Sequence, residues 1–241
     1  MRTGHSAITL VTGGARGLGS FIARRLAEEG HVVVINYQSS EAGASALERE
    51  LGKQCLAVRA DVSVKKEVDA MAELIGKTFG RLDNLINNAG VSLDGLLVRC
   101  REEDWQRVFD VNLKGCFHCT RAVFPLMGNA GGGHVVNISS FSGVKGRGGQ
   151  AAYSASKAAL IGLGMTLARE MAEHNIRVNT VLPGYMETAM GEGSPQALER
   201  AEQESIMHRL SDPREVADFI AFLCSTKGIT GQVFSLESRI V

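Results

Sequence analysis

Short apolar, β-branched runs alternate along the chain with longer stretches whose apolar residues recur every three or four positions. The runs AITLVT (7–12), HVVVIN (31–36), CLAVRA (55–60), LDNLIN (82–87), HVVNIS (134–139), IRVNTVL (176–182) and GQVFSL (231–236) predict strands. The longer pattern predicts helices over 17–29, 41–51, 64–79, 151–174 and 213–225, and one long helix over 102–127 with a weak point at Gly115. Strands that alternate with helices are joined by crossovers, and crossovers make the sheet parallel and cover both its faces. The expected architecture is therefore α/β: one Rossmann-type, doubly wound sheet of about seven parallel strands in a single domain.

One long stretch breaks the rhythm. From Pro183 to about Leu210 the chain is punctuated by Gly184, Gly191, Gly193 and Pro195. Loops of this length in a compact domain usually carry function. Within it, ALERAEQESIMHRL forms an amphipathic helix pattern, and the two glycines at 191 and 193 would hinge it. A lid over a substrate, at about 186–210, is the expectation; a permanently ordered helix covering the core is the plainer alternative.

Composition narrows the field. The 241 residues are long enough for one sizeable core, and 26 Lys and Arg balance 26 Asp and Glu. That balance gives no basic face for nucleic acid or an anionic membrane, and near-zero charge favours self-association. No apolar run is long enough to span a bilayer, and the N-terminal run is too short for a signal peptide, so a soluble, cytoplasmic protein is expected. Five cysteines make a disulfide framework unlikely to be the organising device. Cys116 and Cys119 enclose His118, but they sit in an apolar helical pattern and read as buried thiols; no metal site is expected.

TGGARGLG (12–19) joins the first strand to the first helix. Gly13, Gly17 and Gly19 allow a tight turn and a close backbone approach, and Arg16 and Leu18 share the loop, so a pyrophosphate is expected over the helix start. The second strand ends without an acid. Asn36, Tyr37, Ser39 and Ser40 stand where a carboxylate would otherwise repel a ribose phosphate, and Arg16 can pair with one, which predicts NADPH over NADH. Further along, YSASK (153–157) spaces a phenol and an ammonium by one helical turn, so Tyr153 and Lys157 share a face as a proton donor with a positive neighbour. An exposed aromatic–lysine pair is the alternative for that spacing alone.

Taken together these segments resemble the short-chain dehydrogenase/reductase family over nearly the whole chain. TGGARGLG resembles the family's TGxxxGxG loop; Asp61 and Val62 resemble its adenine-facing Asp-Val pair; NNAG (87–90), with Asn88, Ala89 and Gly90, resembles the segment after its fourth strand. Asn112 in VNLKG, Ser140 in ISS, Tyr153 and Lys157 resemble its catalytic tetrad, and Pro183, Gly184 and Thr188 its nicotinamide-contacting stretch. Within the family, LDGLLVRCREEDWQRVFDVNLKG, GGQAAYSASKAAL, VLPGYMETAM and ITGQV most resemble the 3-oxoacyl-acyl-carrier-protein reductases.

That resemblance implies an NADP-binding reductase domain over 1–241 and NADPH-dependent reduction of a 3-oxoacyl thioester, linked to an acyl carrier protein or to coenzyme A. Tyr153 would donate the proton, acidified by Lys157; Ser140 would give a second hydrogen bond; Asn112 would hold a water linking Lys157 to solvent. Ser139 and a helix-capping Asn112 are the alternatives at those two positions. A family reductase acting on another ketone, and a non-catalytic NADPH-binding regulator, are the competing functions. An acidic carrier protein calls for a basic patch near the site mouth, and GNAGGGH before the fifth strand, like His174, supplies little positive charge. The tail departs from the family too: SLESRIV has Ser238 after Glu237, where the family carries glycines after an acid, and the homotetramer or homodimer that the resemblance implies would pack this end of the chain across an axis.

Overall fold

The structure, a computed structural model, describes residues 6–187 and 195–239. Seven strands form one parallel sheet: β1 (Ile8–Val11), β2 (Val32–Tyr37), β3 (Cys55–Arg59), β4 (Asn84–Asn87), β5 (Gly133–Ile138), β6 (Ile176–Pro183) and β7 (Val233–Leu236). Their order is β3-β2-β1-β4-β5-β6-β7. The winding reverses between β1 and β4, so a crevice opens there beyond the carboxyl ends of the strands.

β1 lies at the centre. Leu10 pairs with Val34 on one side and Leu85 on the other, and all three are fully buried. Each such side chain contributes about 1.5–3 kcal/mol on leaving water. Helices α1 (Gly17–Glu28), α2 (Glu41–Leu51), α3 (Lys65–Phe79), α4 (Glu102–Phe109), α5 (Gly115–Asn129), α6 (Ser142–Lys145), α7 (Ala151–Glu170), α8 (Pro195–Glu204) and α9 (Pro213–Ser225) complete the described fold. Two cores result. Ile22 and Leu26 of α1, Leu47 of α2 and Ile220 of α9 cover one face of the sheet. Val68 and Ile75 of α3, Val123 of α5 and Ala168 of α7 cover the other.

Helix ends follow local chemistry. Asp212 accepts from the Arg214 N–H at 2.8 Å and Pro213 takes the first helical position of α9. Gly80 closes α3 with φ +71°, a left-handed conformation glycine adopts without strain.

Two boundaries differ from the sequence pattern. The single helix expected over 102–127 is two helices joined by a π-helical turn, Asp110–Lys114, so the irregularity falls just before Gly115. In the stretch after Pro183, the amphipathic helix starts at Pro195 and ends at Glu204, and Ser205–Leu210 forms turns. Gly191 and Gly193, the expected hinges, lie outside the described residues, as does Thr188.

Candidate active site

The carboxyl ends of the strands enclose a cleft of about 1340 Å³. Its floor begins at the glycine loop, where Gly13 and Gly17 have φ +62° and +51°. Thr12 holds the loop to the neighbouring strand: its hydroxyl accepts from the Asn88 and Ala89 N–H groups, each at 3.0 Å. Asn88 returns its side-chain amide to the carbonyls of Thr12 (2.9 Å) and Gly13 (3.2 Å). A Cβ on Gly19 would stand 2.3 Å from the Gly13 oxygen, so no other residue fits there. Helix α1 starts without a side-chain cap and without an acid in its first turn. Its free N–H groups and positive dipole end therefore face the cleft, a cradle suited to a pyrophosphate.

The side of the cleft beyond the glycine loop is built by β2 and β3. Tyr37, Gln38, Ser39 and Ser40 line it, with the exposed Arg16 opposite; Arg16 has no ion pair among the described residues. Asn36 is buried and does not offer its amide to the cleft. Its nitrogen donates to the Ala60 carbonyl at 2.8 Å and its oxygen accepts from the Gly13 N–H at 3.4 Å, so it braces the glycine loop against β3.

Asp61 is similarly engaged. Gln38 donates to it at 2.7 Å, Ser63 through both its N–H and its hydroxyl, and Arg107 forms an ion pair at 3.2 Å. Burial works to raise the Asp61 carboxyl, but the Ser63 hydrogen bonds and the Arg107 charge outweigh it and hold it below the usual range. Val62 packs against α5, where a Cβ on Gly115 would come within 2.7 Å of it. Thr12, Gln38 and Arg107 were not anticipated. Gln38 stood in the acid-free stretch already singled out; nothing local in the sequence marks Arg107.

On the other side of the switch point, α7 places Tyr153 and Lys157 one turn apart, with the Lys157 Nζ 5.8 Å from the Tyr153 ring centroid. Lys157 is buried and donates to the Ile138 carbonyl at 2.7 Å. Burial pulls its ammonium down to about 8. The Ser140 hydroxyl lies near that of Tyr153 and works to lower it, whereas the Ser139 hydroxyl is turned away, donating to the Lys157 carbonyl at 2.7 Å.

The expected acidification of Tyr153 does not arise from the protein's own groups. Burial pushes the phenol up, Ser140 works against it, and Asp94 and Tyr185 add to the rise. The phenol thus keeps its proton, which suits a group whose task is to give one to a developing oxyanion.

Asn112 sits in the π turn, fully inside. Its amide protons go to the Val91 carbonyl and the Ser156 hydroxyl, each at 3.0 Å, and its oxygen accepts from the Val91 N–H at 2.8 Å. Its side chain therefore pins the segment after β4 to α7. Ala89, Gly90, Pro183 and Gly184 line the cleft.

Cys116 and Cys119 are buried thiols; burial pushes Cys116 up to about 12 and Cys119 higher still. Among the described residues no group of His, Cys, Asp or Glu could hold a metal, and no helix is long and apolar enough to cross a membrane. The charge-poor segment before β5 and His174 before β6 lie at the amino ends of their strands, the sheet edge away from the cleft. Their lack of charge therefore says nothing about the cleft of this chain, whose lining includes Lys145, Arg147, Arg200 and Arg239.

A family model described as enoyl-(acyl carrier protein) reductase matches residues 13–238. The chain is 41% identical over 240 residues to a 3-oxoacyl-acyl-carrier-protein reductase of Synechocystis, covering 97% of this chain and 96% of that protein. It is 41% identical over 234 residues to a Staphylococcus epidermidis reductase of the same name, covering 95% and 96% of the two chains. A third, from Thermotoga maritima, is 40% identical over 242 residues, covering 97% of each chain.

Proposed function

The chain belongs to the short-chain dehydrogenase/reductase family, and on that premise we propose that it reduces a 3-oxoacyl thioester to the 3-hydroxyacyl form with NADPH, in the cytoplasm. One observation carries the chemistry: two hydroxyls, Tyr153 and Ser140, stand close together in the wall of one cleft, with a buried ammonium one turn along.

A nicotinamide would supply a hydride to the 3-oxo carbon. The glycine loop and the open start of α1 would hold its pyrophosphate, and Arg16 with Ser39 and Ser40 a ribose phosphate, which favours NADPH. As negative charge grows on the carbonyl oxygen, the Tyr153 and Ser140 hydroxyls are the donors that stabilise it. Tyr153 then transfers its proton. Lys157, held by the Ile138 carbonyl, keeps a positive charge beside the resulting phenolate. Donors already in place need little reorganisation at that moment, and removing one such donor typically costs roughly 10²–10³ in kcat.

The relatives' names support an acyl thioester carried on an acyl carrier protein, and coenzyme A is the alternative handle. Exposed Phe117 on α5 and Met165 on α7 favour assembly of identical chains, tetramer or dimer, which light scattering would count.

The test is a panel: oxidation of NADPH and of NADH with acetoacetyl-carrier protein, acetoacetyl-coenzyme A and simple ketones. The Tyr153→Phe variant should bind NADPH and turn over nothing. Retention of about a tenth of wild-type activity would contradict the proton-donor role. No oxidation with any compound would favour a non-catalytic cofactor binder.

A further inference from the structure

The tail that departs from the family folds into the site. After β7, Ser238 joins the end of α8: it hydrogen-bonds the Ser205 hydroxyl, its carbonyl accepts from the Ile206 N–H at 3.2 Å, and its hydroxyl accepts from the Met207 N–H at 3.3 Å. The next residue, Arg239, turns inward. Its side chain is only 13% exposed and lines the cleft together with Ser140, Phe141 and Tyr153. The guanidinium lies 4.1 Å over the Phe141 ring, next in the chain to Ser140. Its Nε donates to Glu237 at 2.7 Å, and Nη2 stands 2.6 Å from the same oxygen. Nη1 stands 3.8 Å from Glu204 of α8, too far for a hydrogen bond.

Two facts follow. First, the group is fixed on three sides: one edge on a carboxylate, one face on an aromatic ring, and the chain behind it tied to α8. Second, the Nη1 edge has no hydrogen-bond acceptor among the described residues. A guanidinium held in a cleft wall with its Nη1 edge open to the cleft can donate to an acceptor that enters there. Charge says which acceptor. Glu237 and Glu204 already balance Arg239, so a further carboxylate there would meet two acids at close range. A neutral carbonyl oxygen meets no such penalty.

A 3-oxoacyl thioester offers that oxygen. Its thioester carbonyl is one methylene removed from the carbon being reduced, and Arg239 is one side chain removed from Ser140. Resting on the function proposed above, we propose that Arg239 is a specificity-determining residue, whose Nη1 edge donates to the substrate's thioester carbonyl and so selects 3-oxoacyl thioesters over ketones lacking a second carbonyl.

The experiment compares acetoacetyl-coenzyme A with a thioether that lacks only that oxygen, the adduct of methyl vinyl ketone and coenzyme A. Wild type, Arg239→Ala and Arg239→Lys are assayed on both for kcat and KM, with the inhibition constant of the thioether against acetoacetyl-coenzyme A. Arg239→Ala should lower the thioester-to-thioether ratio of kcat/KM at least about tenfold, mostly through the thioester KM. NADPH affinity should stay within about twofold, and Arg239→Lys should recover part of the ratio. A general loss of packing would instead weaken both compounds and NADPH alike.

Since Glu237 would be left buried and unpaired in Arg239→Ala, the Glu237→Gln/Arg239→Met double variant is measured beside it. An unchanged ratio in whichever variant folds overturns the assignment. Wild type failing to reduce the thioester at all would instead overturn the proposed function.

Discussion

The glycine at position 19 allows a sharp test of how the cofactor loop is held. A methyl group there would sit 2.3 Å from the Gly13 oxygen and 2.7 Å from the Asn88 side-chain nitrogen. Neither neighbour is a free end. The Gly13 backbone is fixed at φ +62°, and the Asn88 amide is engaged with the Thr12 and Gly13 carbonyls. The Gly19→Ala methyl must therefore push the loop away from β4 or expel Asn88. Overpacking of this kind costs about 1–3 kcal/mol. Losing one or two of the Asn88 hydrogen bonds adds about 1 kcal/mol each.

A total near 3 kcal/mol corresponds to a fall in Tm of roughly 6–12 °C for a chain of this size. Thermal denaturation followed by circular dichroism reads that, and NADPH fluorescence titration should show affinity reduced by about tenfold or more. The matched control is Gly128→Ala in the last turn of α5, where a Cβ meets nothing within 4 Å. That change should be neutral or raise stability by up to about 1 kcal/mol. A Gly19→Ala protein that melts with the wild type and binds NADPH as well would refute the account of the loop.

Other expectations are briefer. Arg16→Ala should raise the KM for NADPH by roughly tenfold while leaving that for NADH nearly unchanged; equal effects would remove Arg16 from ribose-phosphate recognition. Asn112→Ala removes three hydrogen bonds that join Val91 to Ser156, so urea denaturation should show a loss of about 2–4 kcal/mol. His134 is buried between β4 and β6, and burial, with Arg177 nearby, pulls it down to about 4 from the ordinary 6.5. Between those values the unfolded chain takes up a proton that the folded one refuses, so stability falls as pH drops from 6.5 to about 4, by up to about 3 kcal/mol. His134→Gln should flatten that part of the profile; an unchanged slope would assign it to carboxylates instead.

The strands were legible because buried parallel strands are near-continuous apolar runs, and VVVIN or HVVNI leaves no other economical interpretation. The glycine loop was legible because its positions carry backbone demands that only glycine meets. The π turn was not, since apolar spacing through 102–127 looks the same whether one turn holds an extra residue or not. Asn36 shows the limit for polar residues: its place at the end of β2 was readable, but its partners at Ala60 and Gly13 belong to other segments. Tyr153 and Lys157 were placed by their spacing together with the family resemblance, whereas the rise in the phenol comes from burial, which neither reports. Arg239 was visible only as a departure; its contacts with Phe141, Glu237 and Glu204 exist only once the tail has turned back over the sheet.

The turn at Asp110–Lys114 contains one residue more than a regular helix needs to carry α4 into α5. An uncompensated insertion would swing everything downstream through about 100° and drive the exposed Phe117 inward in place of Cys116 and Cys119. The bulge absorbs that phase error locally. Trimming one residue there would let the helix wind evenly with its packing face undisturbed, yet it would withdraw the carboxamide that moors α7. Even winding and the tie between Val91 and Ser156 therefore exclude each other at this position, and a shortened chain should lose the stability that those three hydrogen bonds supply.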